Sequence, residues 1–275
     1  MTALPLNAPR PAAHPAARFW TDAPAYAGLA LILAISTLPV LLAMAIDPRQ
    51  WLGEGIWIKP LKFQIALAIY LATLAWFARW LPEGIATDRR WRAYAAAVCL
   101  AVIGEMLWIG GAAALGTGSH FNTSSPVWDA LYGLMGVFAA FLTSASFVMA
   151  VLIARNRAKG LDPAVKLSVI LGLGLTLPLT LVVAFTMAAG TGHHVGIPLT
   201  GARVPVMGWS REVGDLRVAH FIATHALHAV PLAGWLVSGR LPPRAAQTAV
   251  ILAALAWVAL TMGTFAQALA GKPLI

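Results

Sequence analysis

The chain has 275 residues, 60% of them hydrophobic and 11% charged, with a formal net charge of +9. Soluble domains carry about 25% charged residues, so this composition excludes an ordinary water-soluble globule and makes the lipid bilayer the main partner of the surface. The lysines and arginines fall between apolar runs and form no patch, which excludes nucleic acid and leaves membrane orientation and attraction to anionic lipid as their role.

Residues 1–24 are rich in proline and alanine and have no apolar core of their own. They are expected to form a disordered cytoplasmic tail, with residues 25–275 as a single transmembrane helical domain. About 20 apolar residues cross the hydrocarbon core. The runs that meet this length are 25–46, 61–81, 92–115, 127–154, 166–190, 217–239 and 244–270. They are too long and continuous for barrel strands, which alternate with period two. The predicted fold is therefore all-α: a polytopic integral membrane bundle of about seven helices. Pro39, Pro178 and Pro231 fall inside runs 1, 5 and 6 and are expected to bend them. The lone cysteine, Cys99, lies in an apolar run and reads as an inert core residue.

Positive charge sets the orientation. Arg10, Arg18, Arg79, Arg89, Arg90, Arg92, Arg155, Arg157, Lys159, Lys166, Arg240 and Arg244 flank one side, twelve of the nineteen basic residues. Arg49, Lys59, Lys62, Arg203, Arg211, Arg217 and Lys272 make seven on the other. The N-terminus is expected in the cytoplasm and the C-terminus outside, in a multi-pass protein of the cell membrane, a bacterial inner membrane by this reading.

Polar chemistry concentrates on the outer side. The loops there are 51–63, 116–129 and 192–217, holding His120, Asn122, Asp129, His193, His194, Trp209, Glu212 and Asp215. Run 6 opens as RVAHFIATHALHAVP. Taking His220 as zero, Thr224, Arg217, His228 and His225 fall at about 40°, 60°, 80° and 140° around the helix. Such an arc must face the bundle interior or a wet cavity, because lipid exposure of these groups is expensive. Glu105 is the one carboxylate in the middle of a run. Its expected depth is close to that of His225, so a histidine partner is open to it. His120, His220, His225, Glu105 and Asp129 are the candidate metal ligands. Arg217, His228, Asn122 and Trp209 are candidates for contacting a bound cofactor.

Neutral imidazole ligates transition metals and haem iron. The inventory therefore points to a transition metal ion or haem held in the outer half for redox or sensory work. A small-molecule or lipid substrate would reach that site from outside. The same residues also allow an intramembrane zinc-dependent hydrolase or a proton-coupled transporter, for which Glu105 and the histidine arc would relay protons. The loop 116–129 is expected to be an ordered lid. No phosphate loop, nucleophile elbow or mid-span lysine is present, so no reaction is named by motif.

Overall fold

The computed structural model describes residues 15–156, 161–190 and 192–275. Within these residues the chain is mainly helical. The tail expected over 1–24 lies outside the described residues as far as residue 14, but Pro15–Asp22 forms a short helix, α1. Arg18 explains its place: Nε bonds the Asp22 carboxylate one turn on (2.9 Å), and Nη2 donates to Arg79 O (2.6 Å). Phe19 packs on the core beside it.

Six long apolar helices follow the expected runs: α2 (Pro24–Ile46), α3 (Ile58–Phe77), α4 (Arg89–Ala114), α5 (Pro126–Arg155), α6 (Pro163–Ala189) and α9 (Pro243–Leu269). Each is long and apolar enough to cross a membrane. Their starts are written locally. Asp88 accepts from Trp91 N and Asp162 from Ala164 N, capping α4 and α6, while Pro24, Pro126, Pro163 and Pro243 occupy the first turn, where the missing N–H has no helical partner. Large apolar side chains such as Ile32, Leu38, Leu107 and Leu252 point outward, as a surface solvated by lipid requires. Pro39 and Pro178 remain inside α2 and α6.

Run 6 departs from the expectation of one continuous helix. It is split into α7 (Leu216–Thr224) and α8 (Ala226–Val237), with His225 between them at φ −88° and ψ 3°. The cause is competition for one carbonyl. Phe221 O accepts from His225 N (3.1 Å), Thr224 Oγ1 (2.9 Å) and His225 Nδ1 (2.7 Å), so side-chain donors compete with the helical ladder at the break. Trp257 Nε1 of α9 donates to Ile222 O (2.9 Å) and keeps the break satisfied. Pro231 lies inside α8.

Helices α2 to α5 share a core of Tyr26, Leu71, Leu74, Val98, Val102 and Met149 that reaches α6 and Leu227 of α8. α6 then packs against α5, α8 and α9. The α6–α8 crossing is close because Gly172 has no side chain: a methyl group there would stand 2.6 Å from Pro231 Cδ and 2.8 Å from Ala226 O. Four two-residue strands cap one end. β1 (Gln50–Trp51) pairs with β2 (Glu54–Gly55), and β3 (His194–Val195) with β4 (Gly214–Asp215). Basic residues of the helix ends, from Arg89 to Arg244, gather at the opposite end.

Candidate functional site

The loop-bearing end is built layer on layer. Arg203 reaches from the long 190–215 loop to Glu54 (2.8 Å) and Leu52 O (3.1 Å), tying it to the β1–β2 hairpin. Within the loop, Glu212 accepts from Leu199 N, Thr200 N and Ala202 N at 2.6, 2.9 and 2.6 Å. The Thr200 hydroxyl and these amides hold the Glu212 carboxyl down at about 2. Loop 115–125 is equally fixed. Trp108 Nε1 donates to Ser119 O (3.0 Å), and Asn122 donates to Thr117 Oγ1 and Gly118 O while accepting from Ser124. Asn122 thus spends its amide on the loop's own shape.

The antiparallel register of β3 and β4 sets His194 opposite Asp215. Gly214 permits this, because a methyl group there would overlap Ala268 O of α9. Asp215 is 2% exposed and heavily engaged. It caps α7 at Arg217 N (3.0 Å), accepts from Ser210 N (2.9 Å) and takes the Arg217 guanidinium on both oxygens, Nη2 at 2.6 Å and Nε at 2.9 Å. His194 Nε2 stands 3.5 Å from Oδ2. Burial by itself would raise the Asp215 carboxyl, but His194 and Arg217 outweigh it and hold the group well below the usual range. The His193 and His194 rings are 4.2 Å apart, and one donor atom each from His193, His194 and Asp215 lies within 4.8 Å of the others.

An aromatic wall joins this cluster to the second loop. His193 faces Phe121 (6.4 Å), Phe121 faces Tyr132 (5.2 Å), and Tyr132 faces His120 (5.9 Å), which also meets Phe63 (5.7 Å). Burial pushes both His120 and His193 down to about 3, helped by Lys59 at His120 and by Arg217 at His193. Both rings are therefore neutral at physiological pH, the state that donates a lone pair to a metal.

Lys59, in the first turn of α3, is the central charge. It acts electrostatically on Glu105, His120 and His193. Glu105 is 3% exposed, and Oε1 finds no hydrogen-bond partner among the described residues. The charge that reaches it is Lys59, not the histidine that depth alone suggested. His220 acts on His120, and its Nδ1 is buried without a partner among the described residues.

Of the sequence candidates, His120 and Glu105 thus lie within reach of the Lys59 charge, His220 joins them through His120, and Arg217 holds Asp215. Asp129 does not join them. It stands exposed in the first turn of α5, where it faces the positive end of that helix. His225 and His228 form a separate, deeper group. His225 stacks on Phe221 (3.9 Å), Trp209 packs on Phe221 (5.5 Å), and the His228 ring lies 5.4 Å from His225. His228 Nε2 meets Thr73 Oγ1 of α3 at 2.9 Å. Sequence reading places His193, His194 and Asp215 in an outer loop without joining them, and it counts Lys59 only among the basic residues of the outer side. The adjacent histidines were a visible signal; their partner, 21 residues on, becomes one only through the β3–β4 pairing. No family model, curated protein or solved structure matches the chain, so what the site does follows from its own donors and charges.

Proposed function

We propose that this chain is a multi-pass membrane metalloprotein holding a transition metal ion at its loop-bearing end, with His193 and His194 as donors. The observation that carries the reading is the mutual approach of His193, His194 and Asp215 within 4.8 Å. Donors on a tetrahedral ion at 2.0–2.1 Å stand about 3.3 Å apart, so these atoms would have to close by up to about 1.5 Å around the ion. Five donor contacts already crowd Asp215, from Ser210 N, Arg217 N, Nε and Nη2, and His194 Nε2. Its role is therefore the carboxylate that orients His194, as metal-bound imidazoles usually require. A bare ion suits donors on neighbouring residues of one strand, whereas haem iron takes its axial donors from opposite faces of a macrocycle. The ion would supply Lewis-acid or redox chemistry beneath the loops, with the Asp215–Arg217 ion pair beside it and Lys59 acting on His193 from α3.

The loop-bearing end faces outward in this reading. The split α7–α8 pair serves as the seventh crossing, since residues 216–237 span about 33 Å at helical rise. The basic helix ends then face the cytoplasm. Detergent-purified protein is expected to hold about one ion per chain by elemental analysis and to lose it in His193→Ala and His194→Ala, as separate donors predict. Wild-type protein without metal, giving no ligand-field bands on titration with Co²⁺, would overturn the assignment.

A further inference from the structure

His225 and His228 lie outside the loop-end cluster, at the break between α7 and α8, and the hydrogens on their rings follow from their partners. His225 Nδ1 stands 2.7 Å from Phe221 O and 3.3 Å from Thr224 Oγ1. A carbonyl only accepts, and the Thr224 hydroxyl already donates to Phe221 O (2.9 Å). His225 Nδ1 therefore carries the hydrogen, and Nε2 keeps the lone pair. His228 is fixed the other way round. Thr73 Oγ1 of α3 donates to Ile69 O (2.8 Å), so it accepts from His228 Nε2 at 2.9 Å. The lone pair of His228 is then on Nδ1, which is buried with no hydrogen-bond partner among the described residues.

Two adjacent rings, with centroids 5.4 Å apart, are thus left with a lone pair each and no hydrogen between them. A pair that served only to hold helices together would spend one ring's N–H on the other ring's nitrogen. Here both N–H groups are committed to oxygen, so neither ring can satisfy the other, and a buried acceptor left unmet costs about 1–3 kcal/mol. Metal-bound imidazoles are held in this same way: the second nitrogen donates to a carbonyl or other oxygen, which fixes the tautomer and the ring orientation. Two imidazoles bound at about 2.0 Å to one ion have ring centres about 3.1 Å from it, so the 5.4 Å separation corresponds to an angle of about 120° at the ion.

Charge and donor type select the ion. At helical rise from Leu216, the two residues lie about 14 and 18 Å into a hydrocarbon core of about 30 Å. Among the described residues, no aspartate, glutamate or cysteine completes a three-donor group with them. Neutral donors leave an ion its full charge, and the cost of burying it rises with the square of that charge, about fourfold from a monovalent to a divalent ion. Divalent zinc also asks for four donors. Copper binds imidazole well, and as Cu(I) it carries a single charge and accepts two or three donors.

We propose that His225 and His228 form a second metal site, one for Cu(I), with Thr73 as the positioning residue for His228. Both histidines are half-buried and not sealed, so an ion can reach them. The site shares no residue with the His193–His194 site, and each can stand without the other.

The test is Cu(I) uptake by metal-stripped, detergent-purified protein without oxygen, read by competition with bicinchoninate, whose Cu(I) complex is coloured. The His193→Ala/His194→Ala double variant is measured beside wild type, so that copper at the loop-bearing end is told apart. It is expected to take up about one Cu(I) per chain, with only nitrogen or oxygen neighbours in copper X-ray absorption. His228→Gln keeps an N–H for Thr73 and removes the lone pair; it and His225→Gln should weaken binding by more than about 100-fold, the upper end of what loss of a supporting group costs. Thr73→Val should weaken it about 10–100-fold, and Thr73→Ser should restore it. Gel filtration and thermal unfolding establish that each variant is folded, and if the double variant is not, His225→Gln and His228→Gln in otherwise wild-type protein carry the same comparison. No uptake by wild type above that of empty micelles would overturn the proposal, as would folded His225→Gln and His228→Gln proteins that bind Cu(I) like wild type. A protein that takes Co²⁺ at the loop-bearing end but no Cu(I) would defeat this site alone; the reverse would defeat only the first.

Discussion

Asp215 and its neighbours show how one residue serves structure and site together. Its carboxylate caps α7, clamps Arg217 and faces His194, so substitution separates these roles by degree. Asp215→Asn keeps the cap and the volume but loses the charge that steadies His194. It is expected to weaken metal binding about 10–100-fold, read by competition against a coloured chelator. The neutral histidines give a second expectation. An exposed imidazole begins to lose metal to protons near its ordinary value of about 6.5. In His193 burial moves that point to about 3, so its own ring should show no protonation shift when the metal-free protein is titrated by NMR from about pH 8 down to about pH 5. Stability behaves differently. Groups with a depressed folded value bind more protons when unfolded, so folding weakens as pH falls below about 6.5 towards 3. A melting temperature in detergent that falls over this window in wild type, and falls less in His120→Gln, is the expected result. At this scale the sequence made His220 and Glu105 visible because an ionisable group in an apolar run is conspicuous, and His120 because it stands in a polar loop on the same side. Lys59 was hidden, since a lysine at a helix start next to a loop looks the same whether it faces water or a buried carboxylate.

Among the helices, the start and end of each element follow from local chemistry, but close contact between elements does not. α6 and α8 meet where Gly172 leaves room for Pro231 and the Ala226 carbonyl. Gly172→Ala must push a proline ring and a backbone oxygen apart, and overpacking of this kind costs about 1–3 kcal/mol. Gly110, in α4, has nothing within 4 Å of the corresponding position, and Ala is the better helix former by about 1 kcal/mol. Thermal unfolding should therefore show a lowered midpoint for Gly172→Ala and an unchanged or raised one for Gly110→Ala. The break at His225 belongs to the same scale. Apolar length predicted a single helix over 217–239, and the hydrogen-bonding competition at Phe221 O turned it into two. Thr224 and His225 were legible as polar residues on an arc; that both would bond backward to the same carbonyl depends on rotamers.

For the whole molecule, the expected topology can be read with engineered cysteines, because the native Cys99 is buried within α4. Ile197, exposed in the long loop, and Thr87, exposed between α3 and α4, lie at opposite ends. In intact cells Ile197→Cys should react with an impermeant maleimide, while Thr87→Cys should react only after permeabilisation. The reverse pattern would place the loop-bearing end in the cytoplasm.

The sequence by itself determined the solvent, the helical class and the positions of six long apolar helices to within a few residues. These depend on local sums: apolar length, proline in the first turn, an aspartate or serine before it, and charge between runs. It also indicated that polar chemistry gathers at one end, since buried charge is too costly to be scattered. Only the tertiary structure decided that His193, His194 and Asp215 meet, that Asp129 stays outside and that Lys59 lies beside Glu105. Those outcomes depend on a two-residue strand pairing, a glycine that lets β4 touch α9, and the rotation of each helix about its axis. None of these is additive along the chain. The wide polar arc of run 6 fits several rotations equally well, and packing against α3, α6 and α9 selects one.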